Sequence, residues 1–428
     1  MIFNKIKNSV IEEELFVTTH KSGLRVYVLP KKYKKAYAIF ATDFGSCDNR
    51  FKIPGKDEVV LPDGIAHFLE HKLFEGKEQN AFEQYAKTGA NANAFTNFLT
   101  TAYLFSTTDN FYESLDILLS FVQNPYFTDE NVAKEQGIIG QEIKMYEDDP
   151  GWRVFFNMLN AMYINNPVKI DIAGTVDSIS KINKDLLYEC YNTFYNPSNM
   201  VLFVSGDVER DKILEHVDKN LEDKTPGVPI ERIFEDEPEK INKNYTEQSL
   251  SVSMPIFSAG FKDNEAGISG KELLKKELEI QILLELICGK SSEFYKKLYN
   301  ESLINDSFSA AAEIEKSYCF TIFGGESKNP QKVCDMLLSR IGEIKKNGID
   351  FSYCDTMKKV LYGKYLRVFN STDKIAYYFI SNIFKDINIF DLVDVYGQIT
   401  HDDLQQRLDT HFDDDKFVLS VVNPMQNA

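Results

Sequence analysis

The chain has 428 residues, of which 43% are hydrophobic and 26% charged, a globular composition that excludes disorder as the main state. That length exceeds one ordinary core and leads us to expect two domains of ~200 residues. With 65 acidic against 48 basic residues and a net charge of −17, no basic face for nucleic acid is expected.

Taken in chain order, residues 14–29 read as two alternating strands around a Lys-Ser-Gly turn, and 36–44 as a third strand. A polar loop runs to Asp63, a candidate N-cap for a helix carrying Ile65, Phe68, Leu69 and Leu73. A short helix over 79–88 precedes a β-branched and aromatic stretch at 90–107 that reads as strands. Helical periods follow at 110–124, 128–147 and 184–195, then a strand at 200–205. Residues 223–247 hold prolines, charges and few apolar residues, which predicts a linker between domains 1–222 and 248–428. The second half repeats the order. A strand at 249–261 precedes a helix at 270–288; strands near 306–313 and 318–324 precede helices at 330–346 and 351–368; a last strand lies at 417–422. Such an order predicts an α+β fold of two similar domains, each an antiparallel-rich sheet covered by helices.

Six cysteines stand far apart without a C-x-x-C pair, which suits a reducing compartment and argues against a thiolate metal site. The N-terminal segment has no signal-peptide stretch, and no run nears ~18 apolar residues. A cytoplasmic chain without membrane insertion is expected.

The informative segment is His67-Phe-Leu-Glu70-His71. Histidines at i and i+4 project from one helix face and can grip one divalent ion, with Zn2+ the natural choice for nitrogen and carboxylate ligands. Glu70, beside that face, could accept the proton of an attacking water. This is the H-x-x-E-H inverzincin arrangement. A catalytic zinc site usually has a third protein ligand, and spacing alone leaves Glu75, Glu78, Glu83, Glu113, Glu130, Glu135, Glu142 and Glu147 open. Glu135 and Glu142 stand seven apart, within about 20° of one helical face.

With these residues the chain resembles the pitrilysin/insulysin metallopeptidases, which include the mitochondrial processing peptidase. The likeness spans nearly the whole chain, through KTGANANAFTNF (87–98), NPYF (124–127), IAGTVDSI and FYNPSNM. Within the family it is similar to the catalytic-type subunit of a cytoplasmic Firmicutes pair. The resemblance implies half of a clamshell, with Zn2+ on His67, His71 and Glu142. It further implies Glu70 as base, Glu135 as a supporting catalytic residue, and Asn93, Ala94 and Phe95 on a strand that pairs with substrate backbone. Relatives carry an Arg and a Tyr in the second half that hold the substrate carbonyl, where this chain has Tyr299 and Asn305. A zinc endopeptidase subunit acting on peptides or short unfolded segments is therefore expected, in a heterodimer with a homologous partner supplying that pair. A homodimer would leave the same gap twice. A leader-peptide processing protease and a non-catalytic scaffold subunit are the alternative readings.

Overall fold

Runs of β-branched and aromatic residues fold into a seven-stranded and a five-stranded sheet, in a computed structural model that describes residues 2–221, 223–263 and 265–425. The first sheet holds β1 (Asn4–Asn8), β2 (Glu13–Thr19), β3 (Arg25–Pro30), β4 (Ala36–Thr42), β5 (Asn91–Thr96), β6 (Thr101–Thr107) and β7 (Met200–Gly206). Their spatial order is β1-β2-β3-β7-β4-β6-β5. β4 and β7 bury every residue, as unbroken apolar runs predict for strands covered on both faces. Among the described residues β5 pairs with β6 alone and forms an edge.

The second sheet holds β8 (Tyr245–Leu250), β9 (Ile256–Asp263), β10 (Ser309–Ile314), β11 (Cys319–Glu326) and β12 (Phe417–Pro424), in the order β8-β12-β9-β11-β10. It repeats β3-β7-β4-β6-β5 in order and sense: one parallel pair, then three antiparallel ones. The repetition extends to single residues in one hairpin. β5–β6 ends on the pair Thr96–Thr101 and β10–β11 on Ile314–Cys319. Each is closed by one turn bond of 2.9 Å, Asn97 N–H to Thr100 O and Glu315 N–H to Tyr318 O.

Helices α1 (Ile65–Leu73) and α2 (Ala81–Thr88) join β4 to β5. After β6 come α3 (Asp129–Asp148) and α4 (Pro150–Met162), while α5 (Gly270–Cys288) and α6 (Glu293–Asn300) join β9 to β10. α7 (Thr372–Ile383) precedes the last strand.

The chain divides into two units, and neither is one continuous stretch. The first takes residues up to Ile143, Ile170–Phe234 and Leu366–Phe384; the second takes Lys144–Lys169, Glu235–Tyr365 and Lys385 onward. α7, late in the chain, lies on β4 and β7 of the first sheet. Its Phe379 is buried, with its ring 4.3 Å from that of Phe203 and 4.7 Å from that of Tyr27. α4, early in the chain, lies on β9 and β12 of the second sheet, where Val154 meets Leu250 and Val422. Each half of the sequence thus lends a helix to the other unit's sheet.

The expected partition at 222 and 248 differs from these units, because hydrophobic period reports that a helix is buried and not which sheet buries it. The segment 223–247 is also more than a linker. Glu231–Arg232 pairs with Arg50–Lys52, and Arg232 meets Asp48 at 2.6 Å and Asp43 at 3.0 Å. Beyond it, Glu237 accepts backbone N–H bonds from Ile164, Asn165 and Asn166. The stretch expected as one strand at 249–261 is two, β8 and β9, broken before Ile256. β1, α4 and α7 were not anticipated. α4 nevertheless carries its own start signal: Asp149 caps it by accepting from Trp152 N–H at 2.7 Å, with Pro150 in the first turn.

Replacing Phe379 by Ala should destabilise the first unit by ~3 kcal/mol or more, as for a fully buried aromatic. Urea unfolding followed by circular dichroism checks this. An unchanged midpoint would remove α7 from that core.

Candidate metal centre

α1 begins at Gly64 and not at the expected Asp63 cap. Gly64 has φ 91°, and a Cβ there would stand 2.4 Å from the Ala173 carbonyl oxygen, so only glycine fits. Asp63 instead accepts from Asn49 Nδ2 at 3.1 Å. The helix buries Ile65, Ala66, Phe68 and Leu69, and this packing fixes the direction of the face bearing His67, Glu70 and His71. The two imidazole rings lie 4.5 Å apart at 65°.

α3 supplies the facing carboxylates. Val132, Ile139 and Ile143 are buried, and Gln136 Nε2 donates to the Ile182 carbonyl at 2.9 Å. Glu135 and Glu142, two turns apart, then meet α1 together. Glu142 Oε1 lies 3.8 Å from His67 Nε2, and Glu142 Oε2 lies 3.6 Å from His71 Nε2. One ligand atom from each of His67, His71 and Glu142 falls within 4.8 Å of the others, the one such His/Cys/Asp/Glu group among the described residues. Glu135 stands behind it: Oε1 accepts from His71 Nδ1 at 3.2 Å. Lys72, fully buried, contacts Glu75 and approaches Glu135 Oε2 at 3.6 Å.

Glu70 is close enough to feel the charges of His71 and Glu142 but hydrogen-bonds to a different element. Its Oε2 accepts from the Thr96 hydroxyl at 2.7 Å, at the end of β5. Asn93, Ala94 and Phe95 lie on the same edge strand, with Asn93 exposed. Asn93 Oδ1 accepts from the Ala94 N–H at 2.9 Å, and the Phe95 ring stacks 5.8 Å from Tyr377 of α7. Lys72, Thr96 and Tyr377 escaped the sequence reading. The first two flank the motif and its strand, and only the third dimension links them to it.

The profile of the family described as Insulinase (Peptidase family M16) matches residues 60–176, and that of the Peptidase M16 inactive domain matches residues 181–361. A Bacillus subtilis (strain 168) chain named uncharacterized zinc protease YmfH is 44% identical over 426 residues, covering 98% of this chain and 99% of its own length. The chain belongs to the M16 peptidase family. The crystal structure of an M16-like peptidase from Alicyclobacillus acidocaldarius superposes with a TM-score of 0.91 at 34% identity, covering 99% of both chains. The crystal structure of pitrilysin, at 14% identity, shares the fold with a TM-score of 0.77; the match covers 99% of this chain and 47% of that one.

The Bacillus subtilis relative is named a zinc protease, and the side chains grouped in this chain fit Zn2+. When His71 Nδ1 donates to Glu135, the Nε2 of neutral His71 is a lone pair facing the Glu142 carboxylate. Acceptor then faces acceptor at 3.6 Å, an arrangement that needs a cation between them. Tetrahedral zinc with bonds of ~2.0–2.1 Å sets neighbouring ligand atoms roughly 3.3 Å apart, close to the spacing found. Burial, and then the neighbouring His71, push the His67 pKa down to about 4, which keeps that imidazole neutral and free to ligate. Burial alone would lower His71, yet the Glu135 hydrogen bond and the carboxylates of Glu142 and Glu70 outweigh it and raise its pKa. The site therefore attracts positive charge, and a metal can take the proton's place. Burial would raise Glu135, but the bonds from His71 and the charge of Lys72 hold it below the usual range. Its carboxylate stays ionised and orients His71.

Purified chain should carry about one Zn2+, and a His67→Ala/His71→Ala variant almost none, because one carboxylate is a weak site. Atomic emission on the folded proteins measures both. Equal metal in the variant would refute the ligand set.

Proposed function

We propose that the chain is the zinc-bearing subunit of an endopeptidase that cleaves peptides or short unfolded segments. The observation that carries this reading is the half-buried Glu70 carboxylate beside the His67/His71/Glu142 cluster and joined to the edge strand β5. His67, His71 and Glu142 would hold Zn2+, which would supply a Lewis acid for the scissile carbonyl and lower the pKa of water toward ~7. Glu70 takes the water's proton and returns it to the leaving amine. Burial raises the Glu70 pKa, against the Thr96 hydrogen bond and the charge of His71, and a raised value suits a group that must both accept and release a proton near neutrality. β5, unpaired on its outer side, offers backbone groups to an extended peptide, with Asn93, Ala94 and Phe95 along its length. Glu135 acts through His71. A purely scaffolding role would leave this arrangement of base, ligands and edge strand without use.

The second half is proposed to need help. Tyr299 is half exposed and stacks on Tyr295, while Asn305 Nδ2 donates to Glu326 at 2.7 Å. Neither offers a cation to a substrate carbonyl, and a missing oxyanion donor typically costs ~3–4 kcal/mol. A homologous partner chain carrying the Arg/Tyr pair would supply it. The coverage of 47% of the pitrilysin chain supports a reading in which two such chains make one enzyme. The six cysteines, all buried and free, suit a reducing, cytoplasmic setting. Among the described residues no helix is long and apolar enough to cross a membrane.

Glu70→Gln keeps the shape and loses the base. It should retain zinc and lower peptide hydrolysis by ~10²-fold or more; wild-type turnover would remove Glu70 from the mechanism. Zinc-loaded chain alone should hydrolyse a mixed peptide library poorly and gain activity when a homologous partner is added. Full activity without one would sink the heterodimer.

A further inference from the structure

We infer that Thr96 is the positioning residue of the general base: its hydroxyl fixes Glu70 Oε2 and leaves Oε1 to exchange the proton. The inference rests on the endopeptidase reading above. A glutamate's terminal torsion is a broad, soft rotor, so a base on a rigid helix still needs something to hold its carboxylate plane. The Thr96 oxygen at 2.7 Å supplies a charge-assisted bond to that carboxylate.

Thr96 is itself held with unusual care. It ends β5, and the turn beyond it is locked by Asn97, whose Oδ1 accepts from Leu99 N–H at 2.9 Å and Thr100 N–H at 2.7 Å. A second segment clamps the turn: Ser46 N–H donates to Asn97 O and Cys47 N–H to Phe98 O. Gly45 lies so close that a Cβ would stand 2.3 Å from Leu99 N. Across the ladder, Thr101 donates to the Phe44 carbonyl at 2.9 Å and stands 3.3 Å from the Thr96 oxygen. The strand proposed to carry the substrate backbone thus also carries the group that aims the base, so peptide register and base position share one rigid hairpin.

The chain contains its own control. The β10–β11 hairpin repeats the same register and turn, but has Ile314 and Cys319 where β5–β6 has Thr96 and Thr101. Its neighbouring helix α5 carries no histidine. The hairpin folds without the hydroxyls, and the hydroxyls occur where the base is.

The test uses zinc-loaded assembly of this chain with its partner and an internally quenched peptide library. Thr96→Val keeps the shape and removes the hydroxyl, and Ile314 at the matching position shows that an apolar β-branched residue suits this register. Thr96→Val should lower kcat ~10-fold or more, with KM within ~2-fold and zinc content unchanged, since small misplacement of a reacting group is costly. Thr96→Ser should stay within ~3-fold of wild type. A Val variant with wild-type kcat, an equal loss in Val and Ser variants, or a loss confined to KM would each overturn the inference. A wild-type assembly inert to every peptide would instead overturn the endopeptidase reading, a result visible before any variant is compared.

Discussion

Two imidazole nitrogens and a carboxylate, turned toward one another at 3.6–3.8 Å without a shared hydrogen bond, are the constraint on which the first unit depends. A buried neutral His67 adds no attraction to that trio, so the surrounding fold must hold it. It does so from two helices more than fifty residues apart in sequence. α1 is anchored at its start by the glycine contact with Ala173 and along its length by buried apolar residues. α3 is anchored by Ile139, Ile143 and the Gln136 bond. Between them the buried Lys72 balances Glu135, which would otherwise add a further uncompensated negative charge beside Glu142.

The second unit shows what the fold looks like when that constraint is absent. It keeps five strands in the same order and sense, the helix pair before the hairpin, and the hairpin's register. In place of the ligand helix stands α5, whose Leu283, Leu284 and Ile287 are buried. Its buried charges are each paired off the helix: Lys276 meets Asp263 and Glu265, and Glu279 meets Arg407. Shared architecture and unshared chemistry in one chain separate the residues that serve the sheet from those that serve the site.

The pairing of His67 with His71 was legible because a helix converts i,i+4 spacing directly into a shared face, with no tertiary information needed. Glu142 was legible only in part. Seven-residue spacing put it on the Glu135 face but could not choose it over the other glutamates, and resemblance to a family made that choice. Thr96 was opaque, since a threonine in a β-branched run reads as strand former and nothing more. The start of α1 was misread for a local reason: aspartate is the commoner cap, yet the crowding by Ala173 that selects Gly64 comes from over a hundred residues away. The two-domain outline emerged from composition and element order, whereas the swapped helices did not, because periodicity carries no address.

That exchange of helices ties the two units together in sequence. α7 is encoded after the second unit's hairpin, yet Phe379 closes the core of the first over Tyr27 and Phe203. α4 is encoded before the linker, yet Val154 sits in the second core with Leu250 and Val422. Cutting the chain at its apparent linker would therefore strip each sheet of a covering helix and expose buried aromatic and aliphatic surface on both, a loss comparable with the whole margin of stability of an ordinary domain. The second unit cannot be removed by truncation at that linker without uncovering the first sheet. The two units share a hairpin register with different residues in it: Ile314 and Cys319 stand where the first hairpin has two threonines.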